Sequence, residues 1–137
     1  MSFDKDHDMK FGYTIIYVAD VPASLEFFGK AFGLPTRFIH EADYGELETG
    51  QTALAFAAHH LGRNNLPEGY VAADSSPVPL GIEIALVTES VAEAHAKAVS
   101  VGATSIKEPS VKPWGQTVSY VRCPDGTLVE LCSPMGG

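Results

Sequence analysis

Positive charge is scarce in this sequence: nine Lys and Arg residues stand against 17 Asp and Glu, a formal net charge of −8. Phosphate backbones are bound by basic patches that displace counterions, so nucleic acid is excluded as a partner. Cysteine is scarce as well. Cys123 and Cys132 form neither a zinc-knuckle spacing nor a disulfide framework, and both are expected to be reduced thiols in a cytoplasmic protein. No apolar run reaches the roughly 20 residues that a membrane span needs. No basic, then apolar, then small-residue segment is seen, so neither a secretion signal nor a membrane partner is expected. The 137 residues suffice for one domain with a substantial core.

The richest stretch is KPWGQTVSYVRCPDGTLVELCSP, residues 112–134. It reads as a β-hairpin, with Gln116 to Arg122 and Thr127 to Cys132 as strands around the turn Cys123-Pro124-Asp125-Gly126. One carboxylate, Glu130, interrupts an apolar strand, and the single tryptophan, Trp114, precedes the hairpin. A charge in such a strand either faces solvent or serves chemistry.

Residues 1–10 are polar, unpatterned and expected to be a flexible tail. Residues 11–19 are β-branched and aromatic, hence a strand. Asp20 caps a helix with Pro22 in its first turn, whose core face is Val21, Leu25, Phe28 and Phe32. Gly33 and Pro35 stop it. Residues 36–42, 45–49 and 52–58 read as strands, the last two joined by a tight turn at Gly50-Gln51. Residues 59–80 lack periodicity and read as a linker or a long functional loop. The pattern then restarts with a strand over 81–88 and a capping box from Ser90 to Glu93. A helix follows on Val91, Ala94, Ala98 and Val101, then an edge or bulged strand over 105–111 that contains Pro109, then the hairpin. This is β-α-β-β-β twice, module one 11–58 and module two 81–134, at an offset of about 70 residues. Each module predicts a curled mixed sheet with a helix on one face and a concave groove on the other: an α+β domain over 11–137.

The repeated module, the junction YVADVPASLEFF, the segment GIEIALVTESVAEA and the ending WGQ…CPDGTLVEL resemble the vicinal oxygen chelate superfamily, which includes glyoxalase I, bleomycin-resistance proteins and ring-cleaving dioxygenases. In its metal-using members the resemblance implies ligands from the first and last strand of each module. Those positions fall on Tyr13, Ala55, Glu83 and Glu130. Both histidines of the lyase branch are missing. A phenol, a methyl group and two glutamates do not make a good Zn²⁺ or Fe²⁺ site. No cofactor is therefore expected, with a divalent metal possible but disfavoured.

Strand alternation puts Glu83, Ala85 and Val87 on the groove side and Ile82, Ile84 and Leu86 under the helix. The same alternation lines the groove with Tyr13, Ile15 and Tyr17, with Ala53, Ala55 and Ala57, and with Leu128, Glu130 and Cys132. Small alanines beside tyrosines leave volume for an organic ligand. The candidate ligand contacts are Tyr13, Ile15, Tyr17, Ala55, His59, Trp114, Tyr120 and Leu128. The candidate chemical residues are Glu130 and Glu83, with Arg122 and Lys112 as possible charge partners. The expected function is sequestration of a hydrophobic or aromatic small molecule without a tightly bound metal, as in bleomycin-resistance-like members. That resemblance also implies a homodimer. The alternative is a lactoylglutathione-lyase-like, isomerase or dioxygenase-like enzyme that uses Glu83 and Glu130.

Overall fold

The computed structural model describes residues 8–135. Of the expected N-terminal tail, residues 1–7 lie outside the described residues. The chain runs β1 (Tyr13–Val18), α1 (Val21–Phe32), β2 (Thr36–His40), β3 (Tyr44–Leu47), β4 (Ala53–Ala58) and α2 (His59–Asn65). A 3₁₀ turn (Ala73–Ser75) leads to β5 (Glu83–Val87), α3 (Val91–Ser100), β6 (Thr104–Val111), β7 (Thr117–Arg122) and β8 (Leu128–Cys132).

The strands form two four-stranded sheets of the same order, β1-β4-β3-β2 and β5-β8-β7-β6. In each, the first strand pairs in parallel with the last and the other pairs are antiparallel. The α+β fold of two β-α-β-β-β modules is therefore the observed architecture. As Pro109 requires, β6 is an edge strand, and its pairing with β7 slips between Ser105 and Lys107 and again before Ser110.

Helix α1 is built as its sequence dictates. Asp20 Oδ1 accepts from the Ala23 amide at 3.0 Å, and Gly33 closes the other end at φ 72°, a left-handed conformation suited to glycine. Its buried stripe is Val21, Ser24, Leu25, Phe28 and Ala31. Phe28, fully buried, packs its ring 5.0 Å from that of Phe56 on β4. Burial of one such side chain contributes about 1.5–3 kcal/mol. Gly45 on β3 is required by this packing, because a Cβ there would lie 2.6 Å from Leu25 Cδ1. Helix α3 buries Val91, His95 and Ala98 against its own sheet and also packs on α1. One core thus joins Phe28, Phe56 and Leu25 to Val121, Val129 and Leu131.

Three local expectations are corrected. Ser90 makes no side-chain capping bond; its backbone, at φ −125° and ψ 68°, is not extended, and its amide donates instead to Thr88 Oγ1 at 3.1 Å. The linker is not free of secondary structure, since α2 opens it and the 3₁₀ turn follows. Ile82 precedes β5 and is 75% exposed rather than tucked under the helix, whereas Ile84 and Leu86 do pack on the core.

Candidate functional site

The strand registers fix which side chains share a face. On the sheet of module one, Tyr13, Ile15 and Tyr17 stand opposite Ala53, Ala55 and Ala57. The antiparallel partner β3 sets Tyr44 opposite Ala57 and Glu46 opposite Ala55. All three alanines are buried, so the volume beside them is closed rather than left as open groove. Glu46, also buried, accepts from Tyr44 Oη at 2.8 Å and lies 3.4 Å from Arg37 Nη1. Burial and the Glu46 carboxylate push the Tyr44 phenol well above its usual value. Arg37 continues to Glu48 at 2.8 Å. Glu46 is thus a paired structural carboxylate.

On the sheet of module two, β5 and β8 bring Glu83 and Glu130 together. Ala85 lies opposite Glu130 and Glu83 opposite Leu128, which makes the glutamates diagonal neighbours. A hydrogen bond shared with Glu130, then burial, then the Glu130 charge push the Glu83 carboxyl up to about 7. Glu83 is itself exposed, so its neighbour rather than desolvation dominates. Tyr120, opposite Glu130 on β7, and Cys132 are both raised, first by burial and then by the Glu130 charge. Arg122 and Lys112 do not pair with this cluster. Arg122 turns to the linker and donates from Nη2 to the carbonyls of Ala73 and Ser76, each at 2.8 Å.

A cavity of about 270 Å³ opens between β1 and the start of β5. Its walls come from Ile15, Ile16 and Tyr17 on one side and Ile82, Ile84 and Leu128 on the other. Residues 70–73 and Leu80 of the linker also line it. Tyr70 is held there by specific contacts. Its hydroxyl lies 2.6 Å from His59 Nδ1, and its ring packs 4.9 Å from that of Tyr17. His59 Nε2 lies 3.7 Å from Asp74 Oδ2. Gly62 makes the approach possible, since a Cβ there would stand 2.7 Å from the Tyr70 hydroxyl.

Ile15, Tyr17 and Leu128 therefore meet at one cavity, and Glu83, Glu130 and Tyr120 gather on the neighbouring sheet face. Tyr13 lies among the aromatics of module one, near enough to Tyr44 to raise its phenol. His59, expected as a ligand contact, does not line the cavity; it orients Tyr70. Trp114 is not brought in: it is 61% exposed and donates from Nε1 to Gln116 Oε1 at 2.9 Å. Sequence reasoning missed Tyr70 and Thr127 as lining residues and Glu46 as a buried carboxylate. For Glu46 a signal existed, its alternation with Tyr44 across from the alanine strand. For Tyr70 and Thr127 there was none, because the cavity they line joins segments distant in sequence.

The sequence matches the Glyoxalase/Bleomycin resistance protein/Dioxygenase superfamily over residues 10–131. The chain belongs to this superfamily. Solved structures with the same fold include a glyoxalase-related enzyme from Fulvimarina pelagi, at TM-score 0.78 and 19% identity, covering 92% of this chain and 88% of that one. A glyoxalase/bleomycin resistance protein/dioxygenase family enzyme from Burkholderia phytofirmans PsJN superposes at TM-score 0.76 and 20% identity, covering 91% and 98%. TioX from Micromonospora sp. ML1 is similar at TM-score 0.62 and 18% identity, covering 91% and 98%. No curated protein matches the chain.

Superfamily members that use a metal draw it from positions that here hold Tyr13, Ala55, Glu83 and Glu130. Ala55 has no donor atom, and among the described residues no three or more His, Cys, Asp or Glu side chains gather to hold an ion. Two glutamates with no imidazole leave the set short of the three or four protein ligands of a Zn²⁺, Ni²⁺ or Fe²⁺ site. These residues do not fit a resident Zn²⁺, Ni²⁺ or Fe²⁺ ion. Among the described residues no helix is long and apolar enough to cross a membrane.

Proposed function

We propose that this superfamily member binds a small, mainly apolar organic molecule and sequesters it without a tightly bound metal. The supporting observation is the cavity between β1 and β5, apolar along Ile15, Ile16, Ile82, Ile84 and Leu128 with a few polar groups at its margin. Such a lining is typical of small-molecule sites, and its volume suits a one- or two-ring ligand. Tyr17 and Tyr70 supply the aromatic contacts. The test is titration of the purified full chain with small aromatic compounds, followed by calorimetry or ligand fluorescence, alongside Ile84→Trp to fill the cavity. Saturable binding that Ile84→Trp abolishes supports the reading; binding unaffected by that variant overturns it. Stoichiometric Ni, Zn, Mn or Fe in protein purified without chelator would overturn its metal-free part.

A second reading is carried by the glutamate pair. Glu83, its carboxyl pushed up to about 7 beside Glu130, is able to hold and release one proton near neutral pH. That is metal-free general acid–base chemistry, beside Tyr120. Turnover of a superfamily substrate class that survives chelation and is lost in Glu130→Gln would favour it over sequestration.

Two further parts of the proposal concern the setting. Tyr13, Ile15, Val87, Val111 and Trp114 are exposed apolar side chains, which supports pairing with a second copy of the chain. Light scattering at micromolar concentration tests this. The proposed location is the cytoplasm, which two free cysteines support.

A further inference from the structure

The inner edges of the two sheets are open. β1 pairs only with β4 and β5 only with β8, and the cavity lies between β1 and the start of β5. Along a strand, the backbone groups of alternate residues point to the partner and those of the residues between point away. The register fixes which do so here. The Ala53 amide donates to the Gly12 carbonyl at 2.9 Å, so Gly12, Thr14, Ile16 and Val18 direct their backbone groups to β4. The N–H and C=O of Tyr13, Ile15 and Tyr17 therefore point away from β4, to the open side. On β5 the Thr88 amide donates to the Cys132 carbonyl at 2.8 Å, which makes Glu83, Ala85 and Val87 the outward residues.

Among the described residues no other segment bonds to these outward groups. Of the two edges, only β1 lines the cavity without a break, from Thr14 to Tyr17. Ile15 and Tyr17 thus set two N–H donors and two C=O acceptors along one wall. Backbone groups cut off from water are almost always paired, so an occupant that displaces water here has to pair with them. Composition points the same way. The outer edge strands carry the charges and proline that keep another strand from adding: Arg37 and His40 on β2, and Lys107, Glu108 and Pro109 on β6. β1, with the sequence YTIIYV, carries neither.

We propose that the cavity takes a short, extended, apolar peptide, which lies beside β1 as an added strand and exchanges main-chain hydrogen bonds with Ile15 and Tyr17. This rests on the cavity being the ligand site. In strand addition the main-chain bonds supply affinity and the side-chain walls supply selectivity. From Ile15 to Tyr17 an extended chain advances about 7 Å, a match for about three ligand residues. Residues 70–73 and Leu80 wall the cavity and limit that length, which favours a free peptide over the edge strand of a second copy. The polar side-chain groups of the wall are hydroxyls, those of Thr14, Tyr17, Tyr70 and the buried Thr127. No charged side chain lines it, so the enclosed part of the peptide is neutral.

The test uses the full-length chain, with N-acetyl-alanyl-leucyl-alanine methylamide as the peptide and naphthalene as a probe of the cavity alone. Calorimetry measures affinity and NMR measures amide exchange. The Ile15 and Tyr17 amides should exchange fast in the free protein and slowly with the peptide bound, and naphthalene should not produce the slowing. Two ester analogues each replace one N–H of the peptide, that of the leucine or that of the following alanine. Because a strand alternates, one ester should bind about fivefold more weakly and the other unchanged. Ile15→Pro removes a donor that points away from β4 and so spares the β1–β4 ladder. It should weaken the peptide about fivefold, whereas Ile15→Val should not. Where Ile15→Pro fails to fold, the esters on wild-type protein decide. Equal binding of the peptide and both esters overturns the proposal, as does equal weakening by both. Protection of the two amides that grows with protein concentration, without peptide, assigns the edge to a second copy and also overturns it. Binding of naphthalene but not of the peptide overturns the proposal and leaves the cavity reading intact. Failure of both probes overturns the cavity reading, and this proposal with it.

Discussion

The hydroxyl of Tyr70 lies 2.6 Å from Nδ1 of His59, and this contact ties the middle of the linker to the end of β4. The imidazole is in turn 3.7 Å from Asp74, so three linker residues hold one another over the cavity. Removal of the phenolic oxygen by Tyr70→Phe leaves the ring on Tyr17 but strands the His59 nitrogen. A loss of about 1 kcal/mol in unfolding free energy is expected. His59→Ala, which also removes packing, should cost more. Urea denaturation followed by circular dichroism checks both, and a Tyr70→Phe midpoint equal to wild type would show the contact to be energetically empty.

The glutamate pair predicts a pH dependence whose sign follows from its cause. Glu83 has a folded pKa of about 7, above its ordinary 4.5. The folded state therefore holds a proton that the unfolded chain has already released, and stability falls as pH rises between those values. The contribution is fully present below the ordinary value and gone above the raised one. Glu130→Gln removes the partner charge and should flatten this segment of the stability curve. Carbon-detected NMR of the carboxyl groups should show a midpoint near 7 that returns towards 4.5 in the variant. A normal midpoint in the wild type would contradict the pairing.

Gly126→Ala should loosen the lined wall of the cavity. The position combines φ 94° with a carbonyl where the Cβ would go, so both strain and collision oppose the substitution. The expected cost is about 1–3 kcal/mol, with the thermal midpoint lowered accordingly. Gly115→Ala is the control: it has φ 95° but nothing within 4 Å of its Cβ. It should suffer the strain alone and lose less.

The thiols should be inert in the folded chain. Cys123 and Cys132 are buried and free, and burial raises both above the usual thiol range. Ellman's reagent is expected to label neither at pH 8 within minutes and both after denaturation in guanidinium. Rapid labelling of native protein would contradict the packing around them.

The elements that bury a face at regular spacing were legible in the sequence. Val21, Leu25 and Phe28 mark α1 by their period, Asp20 and Gly33 mark its ends, and strand alternation separates Ile84 and Leu86 from Glu83 and Ala85. Helix α2 was not legible, because HHLGRNN has no apolar period and its place depends on Gly62 admitting Tyr70 and Tyr17. The glutamate pair could be read from alternation and family resemblance together. The cavity could be read only on the side of Ile15, Tyr17 and Leu128, since the linker residues that complete it are placed by Arg122 and Gly126. Trp114 drew attention through rarity alone, and rarity carries no position.

Arg122 has a consequence for motion. Its two bonds to Ala73 and Ser76 belong to a side chain anchored at the turn end of the β7–β8 pairing, opposite Leu128 on β8. The 3₁₀ segment Ala73–Ser75 therefore opens only when that strand pair opens. Amide exchange around it should track the slow protons of β7 and β8 rather than those of a surface loop. What is a connector in sequence is, on the timescale of local unfolding, a fifth piece of the second sheet's cooperative unit.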